Sequence, residues 1–401
     1  MQQRHFARSP SSLTNFTVMG YKKFKADLLF DGYNFSSEKN VLVTTDAGMI
    51  KDIIPGHEAG DDVQQLAGIL SPGFVNCHCH LELSHMKGMI AERTGLTDFV
   101  FKIVTQRHLP EDEIAAAIEK AEDEMLANGI VAVGDICNNT LTISQKKKRR
   151  ICYHNFIETS GFNPAVTEAR FERSLDFFNQ YVQSNPGHNS IVPHAPYSVA
   201  NELWEKIIHF PANHLMTIHN QETVAENEWF IDKKGDFVDF YKSMNIDVSF
   251  FKAPGKSSLQ SYLLKFLKNQ RVILVHNVHT SEKDVEFAKS SGQEIAWCFC
   301  PNANLYIGGQ LPAIDMFIKR GGQFVLGTDS LASNHRLSIL EEIKTIYRHF
   351  PGIGIEEMLR WATINGARAL QMDKLLGSFE PGKQPGVLIC DNDLSSVRRL
   401  L

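Results

Sequence analysis

Two different rhythms of apolar residues divide the chain. Between residues 22 and 70 the apolar positions come in short runs, at 25–30, 40–44 and 48–53. Turn-rich pieces such as Asp31-Gly32 and Glu58-Ala-Gly-Asp-Asp62 separate them, so the runs read as strands of a small sheet unit. From residue 73 short apolar runs alternate with longer stretches of helical period. The strand-like runs fall at 73–80, 130–136, 151–157, 190–194, 215–220, 272–276, 294–299 and 323–327. Helical patterns at 111–127, 168–182, 259–267, 282–290 and 313–319 lie between them, and two more, near 338–347 and 355–370, follow the last strand. Eight strands, most followed by a helical pattern, within about 300 residues predict an α/β fold, a (β/α)8 TIM barrel with parallel strands. The stretch 377–390 returns to β texture and is placed to complete the first sheet unit.

Composition narrows the function. Hydrophobic residues make up 43% and charged residues 22% of 401, the balance of a globular protein rather than of a disordered or collagen-like chain. Lys and Arg total 41 against 46 Asp and Glu, so no basic excess exists to grip nucleic acid. No apolar run reaches the roughly 18–20 residues of a membrane helix, and no membrane partner is expected. Seven cysteines are too few and too odd a number for a disulfide scaffold, which points to reduced thiols and a cytoplasmic location. Cys77 and Cys79, like Cys298 and Cys300, lack metal-knuckle spacing and read as small buried residues on strands. The first residues, 1–17, carry Arg4 and Arg8 without an acid or an apolar core, which does not make a secretory signal. Residues 1–18 read as a flexible extension, or as the product of a start ahead of Met19. The basic run 146–150 reads as a solvated connection between helix and strand.

The chemistry gathers where strands end. His78 and His80 close the first barrel strand as His-Cys-His, and residues two apart on a strand share a face. His194 closes the fourth strand, His219 the fifth and His276 the sixth, and Asp329 follows the eighth in Gly-Thr-Asp-Ser. Barrel enzymes place their catalytic groups at that mouth. Three imidazoles and a carboxylate, His78, His80, His219 and Asp329, suit one divalent ion, Zn²⁺ first and Fe²⁺ second, with a position left for water. Glu222, three residues after His219, is placed to carry a proton between that water and a substrate. His276 is either a further ligand or a donor that orients the attacking water or an oxyanion. Dinuclear barrel hydrolases of this type bridge two ions with a lysine on the fourth strand, and Ser190-Ile-Val-Pro-His194 has none. One ion is therefore expected, with His276 as the donor. Glu82 and Arg107, together with His85 and Trp297, are candidates for the substrate wall. His154 and His279 read as structural, and Asn302 and Asn304 as residues that shape the loop after the seventh strand.

These pieces resemble the amidohydrolase superfamily, in its mononuclear branch of cytosine-deaminase-like and S-adenosylhomocysteine-deaminase-like enzymes. The matching segments are Pro72-Gly-Phe-Val-Asn-Cys-His-Cys-His80, Pro193-His-Ala-Pro-Tyr-Ser198, His219-Asn-Gln-Glu222, Leu274-Val-His276, Cys300-Pro-Asn-Ala-Asn304 and Leu326-Gly-Thr-Asp-Ser-Leu-Ala-Ser-Asn334. Ala362-Thr-Ile-Asn-Gly-Ala-Arg-Ala369 and Gly377-Ser-Phe-Glu-Pro-Gly-Lys383 look like its closing signature. The resemblance implies a barrel over 73–375 and a small β-sandwich built from both chain ends, 19–72 and 376–401. It implies that His78, His80, His219 and Asp329 hold the ion, that Glu222 shuttles the proton, that His276 steadies the tetrahedral intermediate, and that His194 faces a small-molecule substrate. A homodimer is also implied. The implied reaction is hydrolytic deamination of an amino-substituted nitrogen heterocycle, a purine-type base or nucleoside for preference. Hydrolysis of another C–N or C–Cl bond on the same scaffold, as in an amidase or a triazine chlorohydrolase, is the alternative. The chain departs from the pattern after His80, in Leu81-Glu-Leu-Ser-His-Met-Lys-Gly88, and lacks the tryptophan-proline-acid motif that holds ribose hydroxyls in S-adenosylhomocysteine deaminases. Gln384-Pro-Gly386 likewise replaces the usual Ala-Asp dipeptide after the closing signature.

Overall fold

The computed structural model describes residues 20–36, 39–184 and 188–401. The extension expected over 1–18 lies outside the described residues. Eight parallel strands form the barrel: β1 (Phe74–Cys79), β2 (Ile130–Cys137), β3 (Cys152–Thr159), β4 (Asn189–Pro193), β5 (Leu215–Asn220), β6 (Arg271–His276), β7 (Glu294–Phe299) and β8 (Gln323–Leu326). Each lies within about two residues of its expected place, because strands buried on both faces read as continuous apolar runs. The ladder is continuous from β1 to β4 and from β5 to β8. Side chains stitch the two seams. Asn213 bridges to β4, accepting from Ile191 N at 2.9 Å and donating to Ile191 O at 2.6 Å. Above it the His219 N–H donates to His194 O at 3.0 Å. Across the other seam the N–H groups of Thr328 and Asp329 both donate to His78 O at 3.0 Å, and Asn76 Nδ2 donates to Thr328 Oγ1 at 2.7 Å. Both seams thus close through residues at or beside the predicted metal ligands.

Gly327 makes the second seam sterically feasible. A Cβ there would stand 2.8 Å from His78 Cβ and 2.9 Å from Cys300 Sγ, too close for any other residue.

The remaining strands form two facing sheets. One is ordered Ile50–Pro55, Asn40–Thr45, Tyr21–Lys25, Gln64–Gln65; the other is Val397–Arg399, Val387–Cys390, Ile69–Pro72, Leu28–Phe30, Phe35–Ser36. Phe24, Leu42 and Ile50 from the first pack with Leu29, Leu70 and Val387 from the second in one apolar cluster, which makes the pair a β-sandwich. Both ends of the described chain enter it, since Val387 pairs antiparallel with Pro72. The single run read at 25–30 is two strands in different sheets. Ala26 and Asp27, poor strand formers, make the crossing, and Asp27 Oδ2 fixes it by accepting from Gly68 N at 2.7 Å. The β texture at 377–390 narrows to Val387–Cys390, because Pro381, Gly382, Pro385 and Gly386 break what precedes it.

Two departures bear on the site. The helix Leu96–Gln106 was not expected: its Phe, Val and Ile content resembles a strand, and only the apolar spacing of 96, 99, 100 and 103 marks a helical face. The basic run 146–150 is not wholly solvated. Lys146 is buried, its Nζ 2.5 Å from Asp135 Oδ2 and 2.8 Å from Asn155 Oδ1, while 147–150 are exposed. Asp135 Oδ1 in turn accepts from Leu81 N at 2.8 Å, so this ion pair anchors the turn that follows His80. Losing one partner of such a buried pair costs about 3–5 kcal/mol, since the other charge is stranded.

Candidate metal centre and active site

The ends of β1, β5, β6 and β8 converge on one point. His78, His219, His276 and Asp329 each offer a ligand atom, and these atoms lie within 4.8 Å of one another. Asp329 Oδ1 is 3.5 Å from His78 Nε2 and 3.4 Å from His80 Nε2, and His80 Nε2 is 3.4 Å from His219 Nε2. All of these side chains are buried. Their neighbours aim them. His194 O lies 2.8 Å from His219 Nδ1 and can only accept, so Nδ1 carries the proton and Nε2 turns its lone pair inward. Ser333 Oγ donates to Asp329 Oδ2 at 2.5 Å, which leaves Oδ1 for the imidazoles. The backbone is strained around this centre: φ is +73° at His276, +61° at Asn277 and +56° at Asp329. Such conformations cost about 1–3 kcal/mol each and persist only where the surroundings impose them. Asn277 does so here, donating from Nδ2 to Leu274 O at 2.8 Å and to Cys298 O at 3.1 Å.

The donor set fits a divalent ion. Both ring nitrogens of His78, Nδ1 of His80 and Oε1 of Glu222 are buried without a hydrogen-bond partner, and buried polar atoms are seldom left so. Burial favours the neutral form of two of the imidazoles, pushing His219 down to about 4 and His80 well below its ordinary value. Burial alone would raise the Asp329 carboxyl, but His78, His80 and His276 outweigh it and hold it below the usual carboxylate range. Neutral imidazole nitrogens and an ionised carboxylate around one point are what Zn²⁺ or Fe²⁺ requires.

Glu222 stands beside this centre, its Oε2 3.6 Å from His276 Nε2. Burial, and then the negative charges of Asp329 and Glu226, push its carboxyl well above the ordinary range, which favours its holding a proton. Glu226 fixes the turn that carries it, accepting from Gln221 N at 3.0 Å and from Glu222 N at 3.4 Å. Both groups open on a cavity of about 300 Å³ at the barrel mouth. Phe99, Val100 and Ile103 of the helix Leu96–Gln106 form one apolar wall, and Phe240, Met244 and Ile246 form another. Glu158, its Oε2 3.7 Å from His219 Nδ1, and Asn138, Arg107 and Arg170 complete the lining. Among the described residues neither arginine has an ion-pair partner, and burial with the guanidiniums of Arg173 and Arg107 lowers the pKa of Arg170.

Of the residues singled out for the substrate wall, His194 and Arg107 line this cavity. Glu82 does not. It lies behind, in an adjoining space of about 240 Å³, with Oε2 accepting from Asn138 N at 2.9 Å. Burial pushes its carboxyl up to about 7. His85 lines the same space, and Trp297 packs on Phe317 in the core, their rings 4.9 Å apart. Glu158, Asn138 and Arg170 were missed. Glu158 left a trace in the sequence, as an acid inside the apolar run of β3, whereas Arg170 sits on a helix where nothing distinguishes it from a solvated charge.

Glu342 supports the Asp329 loop from below. It is buried, accepts from Asn302 N and Asn334 Nδ2 at 2.9 Å each, and burial pushes it up to about 8. In the unfolded chain a glutamate ionises near 4.5, so the native state alone keeps its proton between about 4.5 and 8. The associated stability is present below pH 4.5 and is lost as pH rises through about 8. Glu342→Gln cannot ionise. Denaturant unfolding of the variant and the parent at pH 5 and pH 8.5 should therefore show Gln gaining on Glu with pH, by a few kcal/mol in order of magnitude. A constant difference would contradict the protonated state.

A parallel barrel with imidazoles and a carboxylate converging at its C-terminal mouth is the arrangement of a metal-dependent hydrolase. The chain belongs to the Amidohydrolase family, whose profile matches residues 69–398. It is 26% identical over 326 residues to adenosine deaminase of Helicobacter pylori, covering 79% of this chain and 77% of that one. It is also 26% identical over 343 residues to 5-methylthioadenosine/S-adenosylhomocysteine deaminase of Thermoanaerobacter pseudethanolicus, covering 81% and 74%. The crystal structure of Helicobacter pylori aminofutalosine deaminase in complex with methylthio-coformycin superposes with a TM-score of 0.75 at 22% identity, over 92% of each chain.

Proposed function

We propose that this protein deaminates an adenine-type ring carrying a substituent with an apolar part and an acidic end. The observation that carries the deamination is Glu222, a buried carboxyl that burial pushes well above its ordinary range, beside the ligand set and open to the substrate cavity. Ring deamination needs a proton delivered to the ring nitrogen as a nucleophile adds to the adjacent carbon, and Glu222 is the acid in reach. A divalent ion held by His78, His80, His219 and Asp329, Zn²⁺ by preference, supplies when bound a water acidic enough to attack at neutral pH. Asp329 would take one proton from the attacking water and pass it to the departing amine, which leaves as ammonia, while the added hydroxyl would return its own proton to Glu222 as the ring carbonyl forms. His276 Nε2 faces the same space and steadies the oxygen on which charge develops. His194 faces the ring from the wall of the cavity.

The substituent is inferred from the rest of the cavity. Its aromatic and aliphatic walls suit an apolar stem, and the unpaired Arg107 and Arg170 suit a carboxylate. Relatives named for 5-methylthioadenosine, S-adenosylhomocysteine and aminofutalosine agree with such a stem. Ammonia release should be measured with 5-methylthioadenosine, S-adenosylhomocysteine, adenosine, guanine, cytosine, a pterin and a chlorotriazine. Ammonia is expected from the adenine nucleosides, fastest with a 5′ substituent. Release of chloride, or activity confined to cytosine or the pterin, would overturn the proposal.

A further inference from the structure

His276 is the one member of the convergent cluster whose role geometry leaves open. The ring offers a donor atom close enough to the others to be a ligand, while its Nε2 also faces Glu222 Oε2 at 3.6 Å. A neutral imidazole carries its single proton on one nitrogen. With the proton on Nδ1 the ring presents a lone pair to the centre and can ligate; with the proton on Nε2 it presents a donor and cannot.

The far side of the ring decides between them. His276 Nδ1 has one hydrogen-bond partner among the described residues, the side-chain amide of Asn304, with Nδ2 at 2.9 Å. Both side chains are buried, His276 1% and Asn304 2% exposed, so no solvent competes. An amide N–H donating to Nδ1 requires a lone pair there, which places the ring proton on Nε2. The amide stands this way round for a reason. Reversed, it would leave both of its N–H donors without a partner among the described residues, whereas now it leaves one N–H and Oδ1, and an under-satisfied carbonyl is tolerated more readily than an orphaned N–H. Asn304 is itself held at the start of the helix Pro301–Ile307, its N–H on Cys300 O at 3.0 Å and its carbonyl accepting from Gly308 and Gly309 at 3.0 and 3.1 Å.

We infer that Asn304 is a positioning residue that fixes the His276 tautomer, keeping this imidazole out of the ion's ligand set and making it the donor to the reacting oxygen. The role in catalysis rests on the deamination proposed above; the tautomer does not, and it is measured on metal-free protein.

The test uses full-length protein labelled with ¹⁵N in the histidine rings, with His276→Gln to assign the signals. In the metal-free parent, Nδ1 of His276 should resonate as an unprotonated nitrogen and Nε2 as a protonated one. Asn304→Asp puts an acceptor opposite Nδ1 and should move the proton there. The freed Nε2 then becomes a ligand, so zinc affinity by chelator competition should rise about tenfold while kcat falls about 10²-fold. Asn304→Leu removes the preference, and should lower kcat about tenfold with KM and zinc affinity little changed. A purely structural role would lower affinity and activity together. A parent spectrum with Nδ1 protonated would overturn the inference even if neither variant folds, as would an Asp variant that leaves the tautomer unchanged. Correct tautomers in a protein that releases no ammonia would sink the deamination and leave this assignment standing.

Discussion

Glu222→Gln is expected to lower kcat for ammonia release by about 10³-fold, some 4 kcal/mol of transition-state stabilisation, while leaving zinc content unchanged. The glutamine keeps the shape and can still offer an N–H, but it has no proton to give. Addition to an aromatic ring puts negative charge on the ring nitrogen, and Glu222, on the cavity wall with its carboxyl pushed well above the ordinary range, is the proposed source of the proton that neutralises it. KM should move little, because the proton transfer belongs to the transition state and not to ground-state binding. The burial that raises this carboxyl also fixes the pH range. Activity of the parent should fall on the alkaline side as Glu222 ionises, and that limb should vanish in the residual activity of the Gln variant. A variant within threefold of the parent would remove Glu222 from the chemistry.

Asp329→Asn should be more damaging, because it strikes the ion and the proton path together. The carboxylate is the only anion among the four ligands, and Ser333 already occupies one of its oxygens. An amide in its place offers a neutral oxygen, so zinc affinity by chelator competition should drop at least about 10²-fold. Even with the ion restored by excess zinc, kcat should stay about 10³-fold low, because the amide cannot accept the proton of the attacking water. A variant that recovers full activity in excess zinc would leave Asp329 a ligand only. The fold should survive either way: the N–H of Asp329, which closes the barrel on His78 O, does not depend on the side chain.

What the sequence reveals and what it hides follow from the same physics. Barrel strands are legible because both of their faces are buried, and a ligand at a strand end interrupts an apolar run at a place where barrel chemistry is done. His78, His80, His219, His276 and Asp329 all announce themselves in this way. The cavity walls do not. Phe240 and Met244 come from a segment whose apolar residues also fit a core helix, and Arg170 differs in no local respect from a surface arginine on a helix. Glu82 illustrates the opposite error. It shares a sequence interval with His78 and His80, but the strand ends at Cys79 and a 3-10 turn over Leu81–Met86 carries Glu82 out of the alternation and behind the cavity. Lys146 looked like a member of a solvated run because its partner, Asp135, lies on a strand eleven positions earlier in the chain. Asn304 was read as a loop-shaping residue, since nothing local to Cys300-Pro-Asn-Ala-Asn304 reveals the imidazole it faces.

The proposed enzyme is a hydrolytic deaminase with one divalent ion held by His78, His80, His219 and Asp329. The most direct test strips the protein with a chelator, returns zinc in small steps, and follows ammonia release from the best adenine nucleoside at each step. Activity absent at the start, rising linearly and saturating at one zinc per chain, is the predicted result. Activity that survives stripping, or that saturates only at two ions per chain, would contradict it.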